Sequence, residues 1–154
     1  NQNSDIKLLL NDVGWGVMGI DGGATGPLLG SFLMGLADGI DNKSIIDNKA
    51  IASMFESGLA KVRKRTKAQV GDKTMIDALV PAVESITEAV NRGSSIQEAL
   101  QFAARAAYKG AVSTKTFKAK FGRAKNLGDR TIGCQDPGAT SMSLIFHGFT
   151  EAMS

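Results

Sequence analysis

Between Lys120 and Ser141 the chain sets the cations Lys120, Arg123, Lys125 and Arg130 among Gly122, Gly128, Gly133 and Gly138. A guanidinium grips phosphate through a planar, bidentate pair of donors and keeps its charge at any physiological pH. Glycines let such a loop turn, and let an anion come close to its backbone. The segment ends at Asp136-Pro137, where Asp suits a helix N-cap and Pro the first helical position. It therefore reads as a basic loop suited to phosphate, with Arg123 and Arg130 the strongest candidates to grip it and Arg123 the one assigned to stabilise charge developing on a transferred phosphoryl group. A second stretch, Gly22-Gly23-Ala24-Thr25-Gly26-Pro27, precedes a helix, whose free N–H groups and dipole attract anions. It matches neither the Walker A nor the Rossmann fingerprint: no strand precedes it and its spacing differs. A third, Gly71-Asp72-Lys73-Thr74-Met75, opens another helix. Here Asp72 is expected to be the cap, and Ile76 to serve the apolar face, leaving Met75 free to lie against a flat ring.

Cys134 and His147 are singletons with no evident third partner. They read as a small loop residue and a helix-surface residue, and no Cys/His spacing suits a metal. One cysteine fits a reducing compartment, so a cytoplasmic location is expected. Hydrophobic residues make up 43% of the 154, and no run approaches the length of a membrane span. A net charge of +3 with 6% aromatic residues argues against nucleic acid, whose single-strand binders stack bases on aromatic side chains. The cations cluster instead. Lys61, Arg63, Lys64, Arg65 and Lys67 read as a solvated helix end that complements the dipole. Lys115, Lys118, Lys120, Arg123, Lys125 and Arg130 read as a phosphate-facing set.

Helices must position these segments, and apolar periodicity predicts six with no convincing strand. The expected spans are Asp5 to about Gly19, Thr25 to just before Asp41-Asn42, and about Asp47 to Thr66. They continue with about Lys73 to Asn91, kinked at Pro81, then about Ser95 to Phe117, bent near Gly110, and Pro137 to about Met153. Ser95 and Glu98 make a capping box. Short connections favour antiparallel neighbours, so the expected fold is all-α, an up-and-down antiparallel helical bundle or barrel forming a single domain over residues 1–154. Alternation of direction would bring the glycine-rich turn, the Gly71–Met75 start and the basic loop to one end. The polar Asn1-Gln2-Asn3-Ser4 lead, without an initiating Met, gives the expectation of an N-terminally incomplete chain.

The run Gly-Arg-Ala-x-x-Leu-Gly-Asp-Arg-x-Ile-Gly-x-x-Asp-Pro-Gly-Ala, from Gly122 to Ala139, resembles the lid of the nucleotide-binding L subunit of dihydroxyacetone kinases. The glycine-rich turn and Lys67-Ala68-x-x-Gly71-Asp72-Lys73-Thr74-Met75 agree with that family in order and approximate spacing. The resemblance spans essentially the whole chain. It implies an all-helical barrel, of eight helices when complete, that holds ADP or ATP with magnesium. In the bacterial form it implies ADP kept as a coenzyme and rephosphorylated by a phosphocarrier of the phosphoenolpyruvate-dependent phosphotransferase system. The acceptor is then dihydroxyacetone on a separate kinase subunit. Carried over residue by residue, Gly22, Gly23, Ala24 and Thr25 meet phosphate, and Met75 meets adenine. Arg123 meets phosphate from the lid and acts in catalysis, while Asp136, Pro137 and Gly138 help enclose the nucleotide. Thr66 stands at a backbone contact where the family often has glycine. Cys134 replaces a frequent histidine, and Lys125 a small polar residue. The family's magnesium motif, Gly-Asp-x-Asp-x-Gly, belongs upstream of the glycine-rich turn, so no metal ligand is assigned in this chain, which alone is expected to be inactive. Two alternatives remain. One is an ATP-dependent kinase domain for dihydroxyacetone, another ketose or a different acceptor; a fatty-acid kinase would normally carry Gly-Asn-Ser-Gly. The other is a regulatory subunit of the same fold.

Overall fold

The computed structural model describes residues 2–20, 23–40 and 46–154. They form six α-helices: α1 (Gln2–Met18), α2 (Thr25–Asp38), α3 (Asn48–Arg63), α4 (Ile76–Asn91), α5 (Ile96–Ser113) and α6 (Pro137–Glu151). No strand occurs among the described residues. The chain divides into two compact units, Asn1–Lys67 and Ala68–Ser154.

In the first unit α2 packs against both α1 and α3. α2 and α3 bury their apolar faces: Phe32, Leu33, Leu36 and Ile40 are buried, as are Ile51, Met54, Phe55, Leu59 and Val62. Asp47 caps α3 by accepting from the Ala50 N–H at 2.8 Å. Glycine sets the α2–α3 spacing. A Cβ on Gly35 would stand 2.6 Å from the Gly58 Cα, so the two backbones touch. The apolar stripe of α1 fares differently, since Leu9 and Val13 lie exposed. Periodicity marks an apolar stripe but not whether anything covers it. The expected stop at Asp41-Asn42 lies outside the described residues.

In the second unit α5 packs between α4 and α6, which also touch each other. Met75, Ile76, Leu79, Val80, Val83 and Ile86 form the α4 face. Ala99, Ala103, Ala107 and Ala111 are fully buried on α5, and such small side chains let helices approach closely. The approach is tightest at Gly110, where a Cβ would lie 1.9 Å from the Asp77 carbonyl oxygen. Pro81 has no N–H to donate to that carbonyl four residues back. α4 nevertheless runs unbroken through Pro81. Ser95 and Glu98 form the predicted capping box. α5 stops sooner than expected, giving way at Thr114–Thr116 to a single 3-10 turn.

Candidate functional site

The start of α4 is more elaborate than a capped helix. Gly71 and Lys73 both take positive φ, 98° and 62°, and Lys73 is the one non-glycine residue to do so among those described. That conformation costs a side-chain-bearing residue energy and persists only where surroundings enforce it. Here the enforcement is visible. The Asp77 carboxylate, buried in the first turn of α4, accepts from the Gly71 N–H at 2.6 Å and the Thr74 N–H at 2.8 Å. Thr74 Oγ1 accepts from the Ile76 N–H at 3.1 Å.

Asp72 is therefore not the cap that the sequence suggested. Its carboxylate accepts from the Gln69 N–H at 2.8 Å and from Lys120 Nζ at 2.8 Å, and its carbonyl accepts from the Lys120 N–H at 3.2 Å. The Lys120 hydrogen bond, followed by that from Gln69, holds the Asp72 carboxyl below the usual carboxylate range. α4 also begins at Ile76, three residues after the expected Lys73, because Asp77 draws the Gly71–Thr74 backbone into a loop.

The side chain of Lys73 is 4% exposed. Its ammonium donates to the Thr114 carbonyl at 2.5 Å and to the Cys134 carbonyl. Those two carbonyls bracket the basic segment. Around them the segment's two ends run side by side as a neck. The Asp136 N–H donates to Thr114 Oγ1 at 2.9 Å, the Gly133 N–H to the Lys115 carbonyl at 2.7 Å, and the Ala119 N–H to Thr131 Oγ1 at 3.0 Å. Lys118 pairs with Asp129 at 3.0 Å. Beyond the neck a 3-10 segment, Arg123–Thr131, bends at Gly128 and follows Gly122, which sits at φ 66°.

Asp136 caps α6 as predicted, accepting from the Ala139 N–H at 2.8 Å. Burial raises its carboxyl above the usual range, and the nearby Asp77 charge adds to this against the lowering effect of the Ala139 hydrogen bond. Its oxygens are committed to the α6 backbone, so within this unit its part is to shape the turn. Gly138 is buried beside it and Pro137 is exposed. Met75 is 3% exposed and Ile76 2%, which corrects the expected division between them: both serve the apolar interior here. Arg123, Lys125 and Arg130 are exposed on the tip. Cys134 is exposed, and exposed His147 lies 3.3 Å from Glu151.

Of the glycine-rich turn, Gly22 lies outside the described residues. Gly23 takes φ 74°, Ala24 stands at the N-cap with no side-chain bond, and Thr25 begins α2. These residues and the half-buried Thr66 belong to the first unit; Met75, Arg123, Asp136, Pro137 and Gly138 belong to the second. Among the described residues no three His, Cys, Asp or Glu side chains are grouped to hold a metal ion. No described helix is long and apolar enough to cross a membrane.

What the sequence missed is the role of Lys73, Asp77 and Thr114. A lysine beside a glycine-aspartate pair looks like a surface residue, and nothing local signals a left-handed backbone there.

The model of the DAK2 domain family matches residues 1–151. The chain is 40% identical over 143 residues to the ADP-binding subunit DhaL of PEP-dependent dihydroxyacetone kinase from Escherichia coli, covering 93% of this chain and 68% of that protein. It is 38% identical over 147 residues to the ADP-binding subunit of PEP-dependent dihydroxyacetone kinase 2 from Listeria innocua, covering 96% and 68%. The dihydroxyacetone kinase of C. freundii, solved in complex with AMP-PNP and Mg2+, aligns with a TM-score of 0.63 at 26% identity, over 97% of this chain and 24% of that one.

Proposed function

This chain belongs to the DAK2 domain family, and we propose that it is the nucleotide-binding subunit of a dihydroxyacetone kinase. It is a phosphotransferase component acting on an alcohol group, and a partner subunit holds the acceptor. One observation carries the assignment of the lid. Lys118 and Lys120, at its base, are paired with Asp129 and Asp72. Arg123, Lys125 and Arg130, at its tip, have no carboxylate at ion-pair distance among the described residues. Paired cations hold a loop in shape, whereas exposed, unpaired ones on a rigidly based loop are available to an anion. The guanidiniums of Arg123 and Arg130 suit the oxygens of a diphosphate.

Bound ADP supplies the terminal phosphate that accepts and donates the transferred group. The residues of this chain do the rest. Arg123 meets the phosphates when the lid is down, and stabilises charge that grows on the phosphoryl oxygens during transfer. The Asp136–Gly138 turn shapes the wall beside it, and Met75, once its surroundings adjust, offers an apolar contact to adenine. Gly22, Gly23, Ala24, Thr25 and Thr66, in the first unit, are assigned to nucleotide binding on the family resemblance alone. Magnesium is a hard cation that takes carboxylate oxygens together with phosphate oxygens and water; the described residues group no three His, Cys, Asp or Glu side chains, and none of them is assigned as its ligand.

The donor is a phosphocarrier of the phosphotransferase system, as the likeness to PEP-dependent subunits supports. Reconstitution with a dihydroxyacetone-binding subunit tests this in two arms, one with phosphoenolpyruvate and the phosphocarrier proteins, one with ATP alone. Dihydroxyacetone phosphate is expected from catalytic amounts of ADP in the first arm. Turnover in the ATP arm alone would make the protein a conventional kinase. Absence of turnover and of nucleotide binding in both would leave the regulatory reading.

A further inference from the structure

We infer that Lys73 is a positioning residue, a clasp that fixes the base of the lid so that only its tip, residues 121–130, moves over the nucleotide. The inference rests on the proposed function above, but its geometry stands alone. Thr114 and Cys134 lie on opposite sides of the neck, and one ammonium donates to the carbonyls of both. Burying an ammonium is costly unless its hydrogen bonds and charge are satisfied. The left-handed backbone at Lys73 adds a further cost. A residue that bore both burdens only to cap a helix would be replaced at no loss by glycine, which takes this φ freely. The side chain is what the strained backbone delivers: from φ 62° it reaches between the end of α5 and the returning segment of the lid.

The chain of contacts then runs in both directions. Thr114 Oγ1 accepts from the Asp136 N–H, so the clasp also holds the N-cap of α6. Asp72, adjacent to Lys73, holds Lys120 where the tip begins. Asp77 holds the loop that carries them and lies close enough to Asp136 to raise its carboxyl. The α4 start and the α6 start, which bear Met75 and Asp136–Gly138, are thus kept in register by one side chain.

Amide hydrogen exchange and ADP affinity test the idea in the full chain. In the unaltered protein the Gly133 and Asp136 amides are expected to exchange at least tenfold more slowly than those of Lys125–Gly128. Equal rates would overturn the clasp without recourse to any variant. Lys73→Gly keeps the backbone conformation and deletes the ammonium. It is expected to lose at least tenfold of the protection at Gly133 and Asp136 while α4 and α5 amides keep theirs, and to weaken ADP binding at least tenfold. Ethylammonium in the buffer should restore part of both. Ser95→Ala serves as control, since it removes the cap at the far end of α5 and destabilises the same unit. It should leave ADP affinity unchanged. If it weakens affinity as much as Lys73→Gly does, Lys73 contributes stability alone and the inference fails. Absence of ADP binding by the unaltered protein would instead overturn the functional reading, and the exchange rates would still decide the clasp.

Discussion

Gly110→Ala is expected to destabilise the second unit by about 2 kcal/mol, although it replaces a helix-interior glycine with the best helix former. The added Cβ would lie 1.9 Å from the Asp77 oxygen, 2.9 Å from its carbonyl carbon and 3.1 Å from the Ala78 Cα. Short carbon–oxygen contacts between helices stop at about 3.3 Å, so α4 and α5 must separate by roughly 1.4 Å there. All three obstructing atoms are backbone, and no rotamer change relieves them. A gap of 0.5–1 Å already forfeits about a quarter to a half of a van der Waals well. The small buried faces of Ala103 and Ala107 depend on that closeness. Overpacking at its upper end costs about 3 kcal/mol, offset by about 1 kcal/mol from the higher helix propensity of alanine. Gly148→Ala supplies the contrast: this residue is exposed in α6 and a Cβ there meets nothing within 4 Å. It should gain up to about 1 kcal/mol. Urea unfolding followed by circular dichroism reads both, with the Gly110→Ala midpoint falling by about 1 M for a typical slope. A midpoint at or above that of the unaltered chain would refute the close-approach reasoning.

Arg123→Ala in the reconstituted kinase should cut phosphoryl transfer by roughly 10³-fold or more while weakening ADP binding far less, and Arg123→Lys should rescue little; transfer near normal in Arg123→Ala would remove that residue from the site. Asp136→Asn keeps a capping oxygen but removes a carboxyl whose folded pKa lies above its ordinary value of 3.8. The folded chain holds the extra proton in that window, so the unaltered protein's stability relative to Asp136→Asn should fall as pH rises through it, and urea midpoints showing the opposite slope would contradict this. Asp72→Asn should give that opposite slope. The Asp72 carboxyl sits below 3.8, so its stabilising contribution is present above that value and fades as pH drops through the folded pKa; a difference independent of pH would show that the Lys120 pair adds nothing.

The elements were legible where local chemistry decides them. Ser95-x-x-Glu98 and Asp136-Pro137 announce helix starts through hydrogen bonds that span three residues, and both form as expected. The α3 face follows from spacing alone. The exposure of Leu9 and Val13 does not, because periodicity reports amphipathicity and says nothing of a covering partner. The start of α4 defeated the reading for a different reason. Asp72 is a better cap by residue type than anything near it, yet Asp77 captures the preceding N–H groups and Lys120 captures Asp72 across 48 positions. A charged partner brought in by tertiary structure can outrank local propensity.

The lid shows the same division most clearly. By composition Lys118, Lys120, Arg123, Lys125 and Arg130 form one basic run, and the sequence offers no ground for separating them. Tertiary pairing separates them. Asp72 comes from before α4 and Asp129 from the far side of the loop, and they neutralise Lys118 and Lys120. Lys115, exposed at the neck, is paired with neither, and the charge at the tip stays on Lys125 and on the arginines that can make bidentate contacts. Glycines at positive φ stand at 122, 128 and 133, bounding and dividing that tip, while the carbonyls that Lys73 grips lie outside it. A loop whose charges were all unpaired would be held by its anion alone, and one whose charges were all paired would have nothing to offer an anion. This segment is built between those limits, with order at its base and free charge at its end, and that is the arrangement a lid needs if it is to close on phosphate without collapsing in its absence.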